Sequence, residues 1–276
     1  MQIVNMESII SYKVSNPLLF GKISSIVFWR RPSNYRESMV ILPNNICGFG
    51  LTLSGDLLVK INNDFKLMPK YGTRNIKSKP SVIKTSGEFL NISVRFIIPN
   101  GLSLFTKIPM NVIYQGDSIS LNEIFSNQET NDLIDSLLET RNDNDKVKIL
   151  ELFLVSRLFD AHPPIFVALI EKIHATKGNC HVKALASCFS ISERTIHRLF
   201  SKYVGLNPNK YINLIRFRNI INLFSDHKAD YLGNAINVGY YDQSHFIKKF
   251  KTFSNFSPRQ FKDSNYFKKV SDFYNL

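Results

Sequence analysis

With 276 residues, of which 44% are hydrophobic and 12% aromatic, the chain holds enough apolar mass for two ordinary domain cores. Its three cysteines (Cys47, Cys180, Cys188) are an odd set without CxxC spacing, which argues for free thiols in a reducing cytosol and against a disulfide framework or a zinc site. The net charge of +13 is unevenly spread: residues 163–276 hold seventeen Lys and Arg against seven Asp and Glu, a balance of +10, and residues 1–162 carry only +3. A localised positive field attracts polyanions, nucleic acid first and anionic membrane second. Glu7, Lys13 and Lys22 interrupt the first 25 residues, leaving no signal-peptide core, and no run of ~18 uncharged apolar residues offers a membrane span. A soluble, cytoplasmic chain with no membrane partner is expected.

Residues 1 to about 118 read as strands and turns. Leu51–Leu53, Leu57–Ile61 and Phe65–Met68 are short β-type runs, and Asn62-Asn63-Asp64 predicts a hairpin turn between the last two. Asn91–Phe96 alternates cleanly until Pro99-Asn100-Gly101 breaks it. From Leu121 the period turns helical. Lys146–Phe159 is predicted as a helix whose apolar residues wrap well past one face, which implies burial on two sides, within its domain or against a second subunit. His162-Pro163-Pro164 stops it and marks a boundary between domains at 1–162 and 163–276.

Beyond the boundary everything is helical. Phe166, Leu169, Ile170 and Ile173 fall at 0, 3, 4 and 7, with Gly178 as the stop. Val182, Leu185, Ala186 and Phe189 repeat the pattern, as do Ile196, Leu199, Phe200 and Tyr203 behind Ser192 as N-cap. Such short helices cannot bury their faces singly, and a helix-turn-helix is the natural packing. Asn207-Pro208 then opens a long helix reaching about Phe224. The pattern returns with Ala235, Gly239, the cap Asp242, then Phe246, Phe250 and Phe253, and finally Ser257-Pro258. Two helix-turn-helix units thus sit ~50 residues apart on one stiff spacer.

Leu185-Ala186, Ser192, Arg194, Ile196, Arg198 and Phe200, then Asn207-Pro208, Tyr211 and Arg216, then Ala235, Gly239-Tyr240, Asp242–Phe246, Lys248, Phe250-Lys251 and Ser257-Pro258 together carry a resemblance. Residues 165–262 are similar to the DNA-binding domain of the AraC/XylS family. Three positions depart from the pattern. Ser190 and Asn255 stand where glycine is usual, so the turn at Ser190 needs an unusual φ in a side-chain-bearing residue, and Asn234 stands where an apolar residue is usual. An unpaired buried amide there would cost ~1–3 kcal/mol.

If Ile196, Leu199, Phe200 and Tyr203 face the core, Arg194, His197 and Arg198 share the opposite face, with Lys202 one turn on. The N-terminal half of such a helix reads base edges in the major groove, and Arg grips guanine bidentately. In the second unit the matching residues are Ser244, Ile247 and Lys248, flanked by Gln243 and His245, with Lys251 placed for a phosphate. Ile247 suits a thymine methyl, so the second segment read is expected to be T-rich. Solvation or phosphate contact is the plainer fate of each of these side chains, and His245 or Gln243 could serve in capping.

The resemblance implies an α+β chain: an N-terminal β-rich, barrel-like regulatory domain with following helices, then an all-α double helix-turn-helix DNA-binding domain. It implies a transcriptional activator with double-stranded DNA and RNA polymerase as partners. A small-molecule effector or a regulatory protein would act through residues 1–162, with a homodimer formed there, for which Lys146–Phe159 is the candidate surface. No cofactor, no metal and no catalytic residue is expected, since His162 is the first histidine and no phosphate loop, triad or carboxylate pair is visible. DNA-alkylation repair enzymes share a similar double unit but use a zinc-bound cysteine cluster, and Cys47 is the sole cysteine in the N-terminal half. An architectural DNA-binding protein is the remaining alternative, to be recognised by steep salt dependence without sequence preference.

Overall fold

A computed structural model describes residues 7–35, 37–43, 47–76, 79–96, 101–114, 118–159, 162–224, 239–240 and 242–263. The chain forms two compact units. One draws on residues within 1–39, 46–75 and 82–161, and the other on 162–276 with the short segments 40–45 and 76–81.

The first unit is an antiparallel sheet followed by helices. Its strands are β1 (Ser8–Tyr12), β2 (Ile23–Arg31), β4 (Gly48–Ile61), β5 (Asp64–Leu67), β6 (Tyr71–Arg74) and β7 (Ser81–Phe96), with β3 (Met39–Ile41) between β2 and β4 in the chain. The order is β1-β2-β7-β4-β5, and β6 is added to β4. The two runs expected at Leu51–Leu53 and Leu57–Ile61 are one strand. Bulges between Thr52 and Asp56 absorb the break in alternation, Gly55 taking φ +68°, so pairing with β7 resumes beyond them. The hairpin at Asn62-Asn63 forms as expected, with both residues left-handed (φ 48° and 74°) and Ile61 facing Asp64. Consecutive positive φ values twist a two-residue loop the way the strands twist, and Asn tolerates them.

One face of the sheet is apolar: Ile26 and Phe28, Phe49 and Leu51, and Ile92 and Val94 are all buried. After the short helix α1 (Met110–Ile113), side chains at this face reach α3 (Asp143–Val155), which lies beside α2 (Asn127–Glu139). Arg30 pairs with Asp143 at 2.7 Å, and the Tyr12 hydroxyl donates to the same carboxylate. Ser15 donates to Glu151 from both its backbone N–H and its hydroxyl. The Lys146 ammonium, only 5% exposed, donates to the carbonyls of Leu137 and Thr140 at the end of α2. These polar ties explain how a Lys and a Glu come to be buried within α3.

That helix differs from the expected Lys146–Phe159. It starts three residues earlier, at Asp143 behind the cap Asn142, and Ser156 closes it before the last apolar residues. Val147, Leu150, Phe153 and Leu154 are buried but Leu152 is 66% exposed, so the apolar wrap is covered on one side only within this unit. Among the described residues no helix is long and apolar enough to cross a membrane.

Candidate nucleic-acid interface

The second unit begins with α4 (Pro164–Ala175), α5 (Val182–Cys188) and α6 (Glu193–Tyr203). Phe166, Leu169, Ile170 and Ile173, then Val182, Leu185 and Ala186, then Ile196, Leu199 and Phe200 are all buried, so each helix commits its periodic face to one shared core. Phe166, Phe200 and Tyr211 pack ring on ring, with centroids 6.0 Å apart for the first pair and 5.7 Å for the second, and the His174 Nε2 meets the Tyr211 hydroxyl at 2.7 Å. Such ring pairs add ~0.5–1.5 kcal/mol each beyond the area they bury.

The turn between α5 and α6 is made by Ser190, whose φ of 52° is the unusual value expected where glycine is missing. Ser192 then caps α6, its hydroxyl accepting from the Thr195 amide at 3.1 Å. Next comes α7 (Pro208–Phe224), opening at Asn207-Pro208 and ending where expected; its 17 residues span roughly 25 Å. The helix expected around Ala235, and with it Asn234, lies outside the described residues. Gly239 and Tyr240 are described, followed by α8 (Gln243–Ser254) and α9 (Pro258–Asp263). Asp242 caps α8 through the His245 amide at 2.7 Å. Asn255 ends it in the left-handed conformation (φ 65°), the usual task of a C-terminal glycine. Phe246, Phe250 and Phe253 are buried, with Phe250 set edge-on to both Phe217 and Phe261.

The faces opposite these cores carry the candidate contact residues. On α6, Arg194, Arg198 and Lys202 are exposed and His197 is half-buried, directly across from Ile196, Leu199 and Phe200. The Lys202 ammonium lies 5.1 Å from the Tyr203 ring centroid, so its stem runs along the helix end. On α8, Gln243, Ser244, Ile247, Lys248 and Lys251 are exposed along one stripe. Ile247 is 41% exposed, a large apolar side chain in a row of polar ones. His245 is turned differently: it is half-buried with its ring 5.7 Å from Tyr240.

Arg216, part of the sequence pattern without an assigned role, ties the two halves together. It is 5% exposed. Its Nη2 donates to the Gly178 carbonyl at 2.7 Å in the turn after α4, and Nη1 donates to Asn213. Its guanidinium lies 5.6 Å from the ring centroid of Tyr240, which leads into α8. Glycine is required at both approaches. A Cβ at Gly178 would stand 2.7 Å from the Ile212 carbonyl, and one at Gly239 would stand 2.5 Å from the Asn179 side chain and 3.4 Å from Arg216 Nε. Burial lowers the Arg216 pKa, while the same burial pushes the Tyr240 hydroxyl up, away from ionisation.

Residues 185–264 match a family model described as a helix-turn-helix domain. An uncharacterised HTH-type transcriptional regulator of Haemophilus influenzae is 28% identical over 97 residues, 35% of this chain and 33% of that protein. The HTH-type transcriptional activator RhaS of Escherichia coli O157:H7 is 36% identical over 76 residues, 28% of this chain and 27% of RhaS. The chain therefore spans about a third or less of the length of these relatives. Among solved structures, ToxT from Vibrio cholerae aligns over 86% of this chain and 97% of its own at 17% identity, with a TM-score of 0.45. The capped helices, the turn at Ser190, the repeat at α8 and the matched sequence agree: this chain carries an AraC/XylS-type helix-turn-helix domain over residues 185–264.

Proposed function

We propose that this chain is a sequence-specific DNA-binding transcriptional regulator, an activator, that reads two adjacent major-groove segments with α6 and α8. The observation that carries the reading is the pair of exposed faces. Arg194, His197, Arg198 and Lys202 stand on a helix whose opposite side is locked into a core, and Gln243, Ser244, Ile247, Lys248 and Lys251 stand on a second helix of the same unit. A helix held by its buried face and presenting Arg on the other meets the geometric need of major-groove readout. Arg194 and Arg198 take guanine edges, Ile247 takes a thymine methyl, and Lys202 and Lys251 neutralise phosphates. His245, half-turned toward Tyr240, orients the start of α8 and contacts the backbone.

The first unit modulates this binding by taking up a small effector or a partner protein, and two copies of the chain associate through it. The regulator works in the cytoplasm on RNA polymerase, requires no cofactor and catalyses no reaction. Selection of duplexes from a random pool by the full chain tests the core of this reading. Two preferred segments about one helical turn (~10–10.5 base pairs) apart are expected, the second T-rich. Enrichment of no sequence, with specific and random duplexes bound alike and equally salt-sensitive, would overturn it in favour of an architectural role.

A further inference from the structure

The opposite face of the first unit's sheet carries buried apolar side chains toward β2 (Val27, Trp29 and Phe89) and a row of polar groups and glycines toward β4 and β6. In the backbone register Arg95 on β7 and Arg74 on β6 both lie opposite Gly48 on β4, one on each side. Directly paired residues share a face, so two arginines flank a glycine in one row. The next row on that face is Ser93, Gly50 and Gly72, and the one after it Asn91 and Thr52. Asn91 donates to the Thr52 hydroxyl at 3.0 Å, and the Ser93 hydroxyl donates to Asn91 at 2.8 Å. Gly48 and Gly50 floor the rows beside Arg74, while Ser118 covers Gly72, where a Cβ would stand 2.7 Å from its hydroxyl. A Cβ at Gly48 would stand 1.9 Å from the Val94 carbonyl oxygen, and one at Gly50 would stand 2.6 Å from Arg74 Nη2 and 2.7 Å from its Cζ and Nε. The Arg74 guanidinium thus rests on the bare backbone of Gly50.

Among the described residues, Arg74 is held by less than Arg31, Arg157 or Arg216. Arg31 donates to Glu7 at 2.8 Å and sits between the rings of Trp29 and Tyr35. Arg157 pairs with Glu129 at 2.9 Å, and Arg216 donates to Gly178. Arg74 as a whole is half-buried, yet its Nη2 is sealed from solvent with no hydrogen-bond partner, and among the described residues its one hydrogen bond is a 3.3 Å contact to the Thr73 carbonyl. No carboxylate among the described residues offsets its charge, and burial alone lowers its pKa to about 10. Burying a charge without a counter-charge is costly, and proteins tolerate it where a ligand supplies the missing partner.

We propose that this glycine-floored face of the sheet binds a small oxyanion, a carboxylate or phosphate group, in the fork of Arg74 with Arg95 in the same row. The planar fork matches either group bidentately, which an ammonium does not. The Ser93–Asn91–Thr52 chain on the same face offers polar groups to the remainder of such a ligand. This names the chemical class of effector for the first unit. It rests on the regulator reading for its consequence, while the binding itself stands apart from it.

Thermal unfolding of the full chain at constant ionic strength in chloride, titrated separately with inorganic phosphate and with succinate, tests the site. A saturable rise in Tm is expected for one or both anions, phosphate alone assigning a phosphate group and succinate alone a carboxylate. Arg74→Met should lose that response while melting, without anion, at or above the parent temperature, since it removes a lone buried charge. Arg74→Lys should bind at least tenfold more weakly. No saturable response in the parent chain, or an unchanged response in Arg74→Met, overturns the site. If Arg74→Met fails to fold, an unchanged affinity in Arg74→Lys overturns it instead. Duplex binding measured on the same samples keeps the two readings apart: DNA binding without an anion response removes only this site, and an anion response without DNA binding removes only the regulator reading.

Discussion

Replacing Arg216 with methionine tests how the two helix-turn-helix halves are held. The side chain is nearly fully buried and makes a 2.7 Å charged hydrogen bond to Gly178 O in the first half. A bond of that kind contributes about 1.5–3 kcal/mol, and its loss leaves a buried carbonyl unsatisfied. The contact with the Tyr240 ring, 5.6 Å away, adds about 0.5–2 kcal/mol in a desolvated site. Removing a buried charge offsets part of this, because Arg216 Nε has no partner and burial already lowers the group's pKa. A net destabilisation of about 2–4 kcal/mol follows for Arg216→Met, and about half that for Arg216→Lys, which keeps one donor and loses the fork. Urea unfolding followed by far-ultraviolet circular dichroism reads this loss in the helical unit. Trp29, the sole tryptophan, reports the first unit as an internal control and should keep its midpoint. On DNA, affinity for a two-segment duplex should fall while affinity for a duplex with only the α6 segment stays near the parent value. A stability change under about 0.5 kcal/mol with two-segment binding intact would refute the idea that Arg216 joins the halves.

Two further outcomes follow from the backbone and from burial. Ser190→Gly should stabilise the chain by about 0.5–1 kcal/mol, because Ser190 holds φ 52°, whereas Asn255→Gly at φ 65° should be close to neutral, Asn tolerating that region well; paired denaturation curves check both. His162 is packed against Phe166 and Tyr203, and burial lowers its pKa to about 4. Below pH 6.5 the unfolded chain therefore takes up a proton that the folded chain refuses, so this contribution is complete above pH 6.5 and is lost as the pH falls toward 4. At pH 5 the loss is about 2 kcal/mol relative to neutral pH. Unfolding curves across that window should be flatter for His162→Phe, and an identical slope would contradict the burial argument.

The parts of the fold written in neighbouring residues were legible in the sequence. Ser192 and Asp242 cap where the apolar period begins, Asn207-Pro208 opens α7, and Asn62-Asn63 turns the hairpin, because each signal acts over three or four residues. Ser190 and Asn255 were legible through the glycines they replace. Features set by distant partners were not. Lys146 and Glu151 look like surface charges on α3 until the end of α2 and Ser15 come into contact with them. The early end of α3 is equally unwritten in its apolar run, which continues past Ser156. The continuity of β4 through its bulges depends on pairing with β7. The row of Arg95, Gly48 and Arg74 exists only through the register of three strands, its members standing 26 and 21 residues apart in the sequence, beyond any local pattern. On the interface side, periodicity separated the exposed from the buried residues of α6, but the turn of His245 toward Tyr240 required the packing of both.

The most direct test of the account compares Arg198→Ala, Ile247→Ala and Lys251→Ala in competition binding on the selected duplex and on single-base-pair variants across a salt series. Arg198→Ala should cost about 1–3 kcal/mol and relax preference at one position in the α6 segment. Ile247→Ala should relax preference for thymine in the α8 segment. Lys251→Ala should weaken binding to every sequence alike and reduce the salt slope by about one. Three variants that weaken all duplexes equally, with no position losing its preference, would contradict the claim that these two helices read base edges.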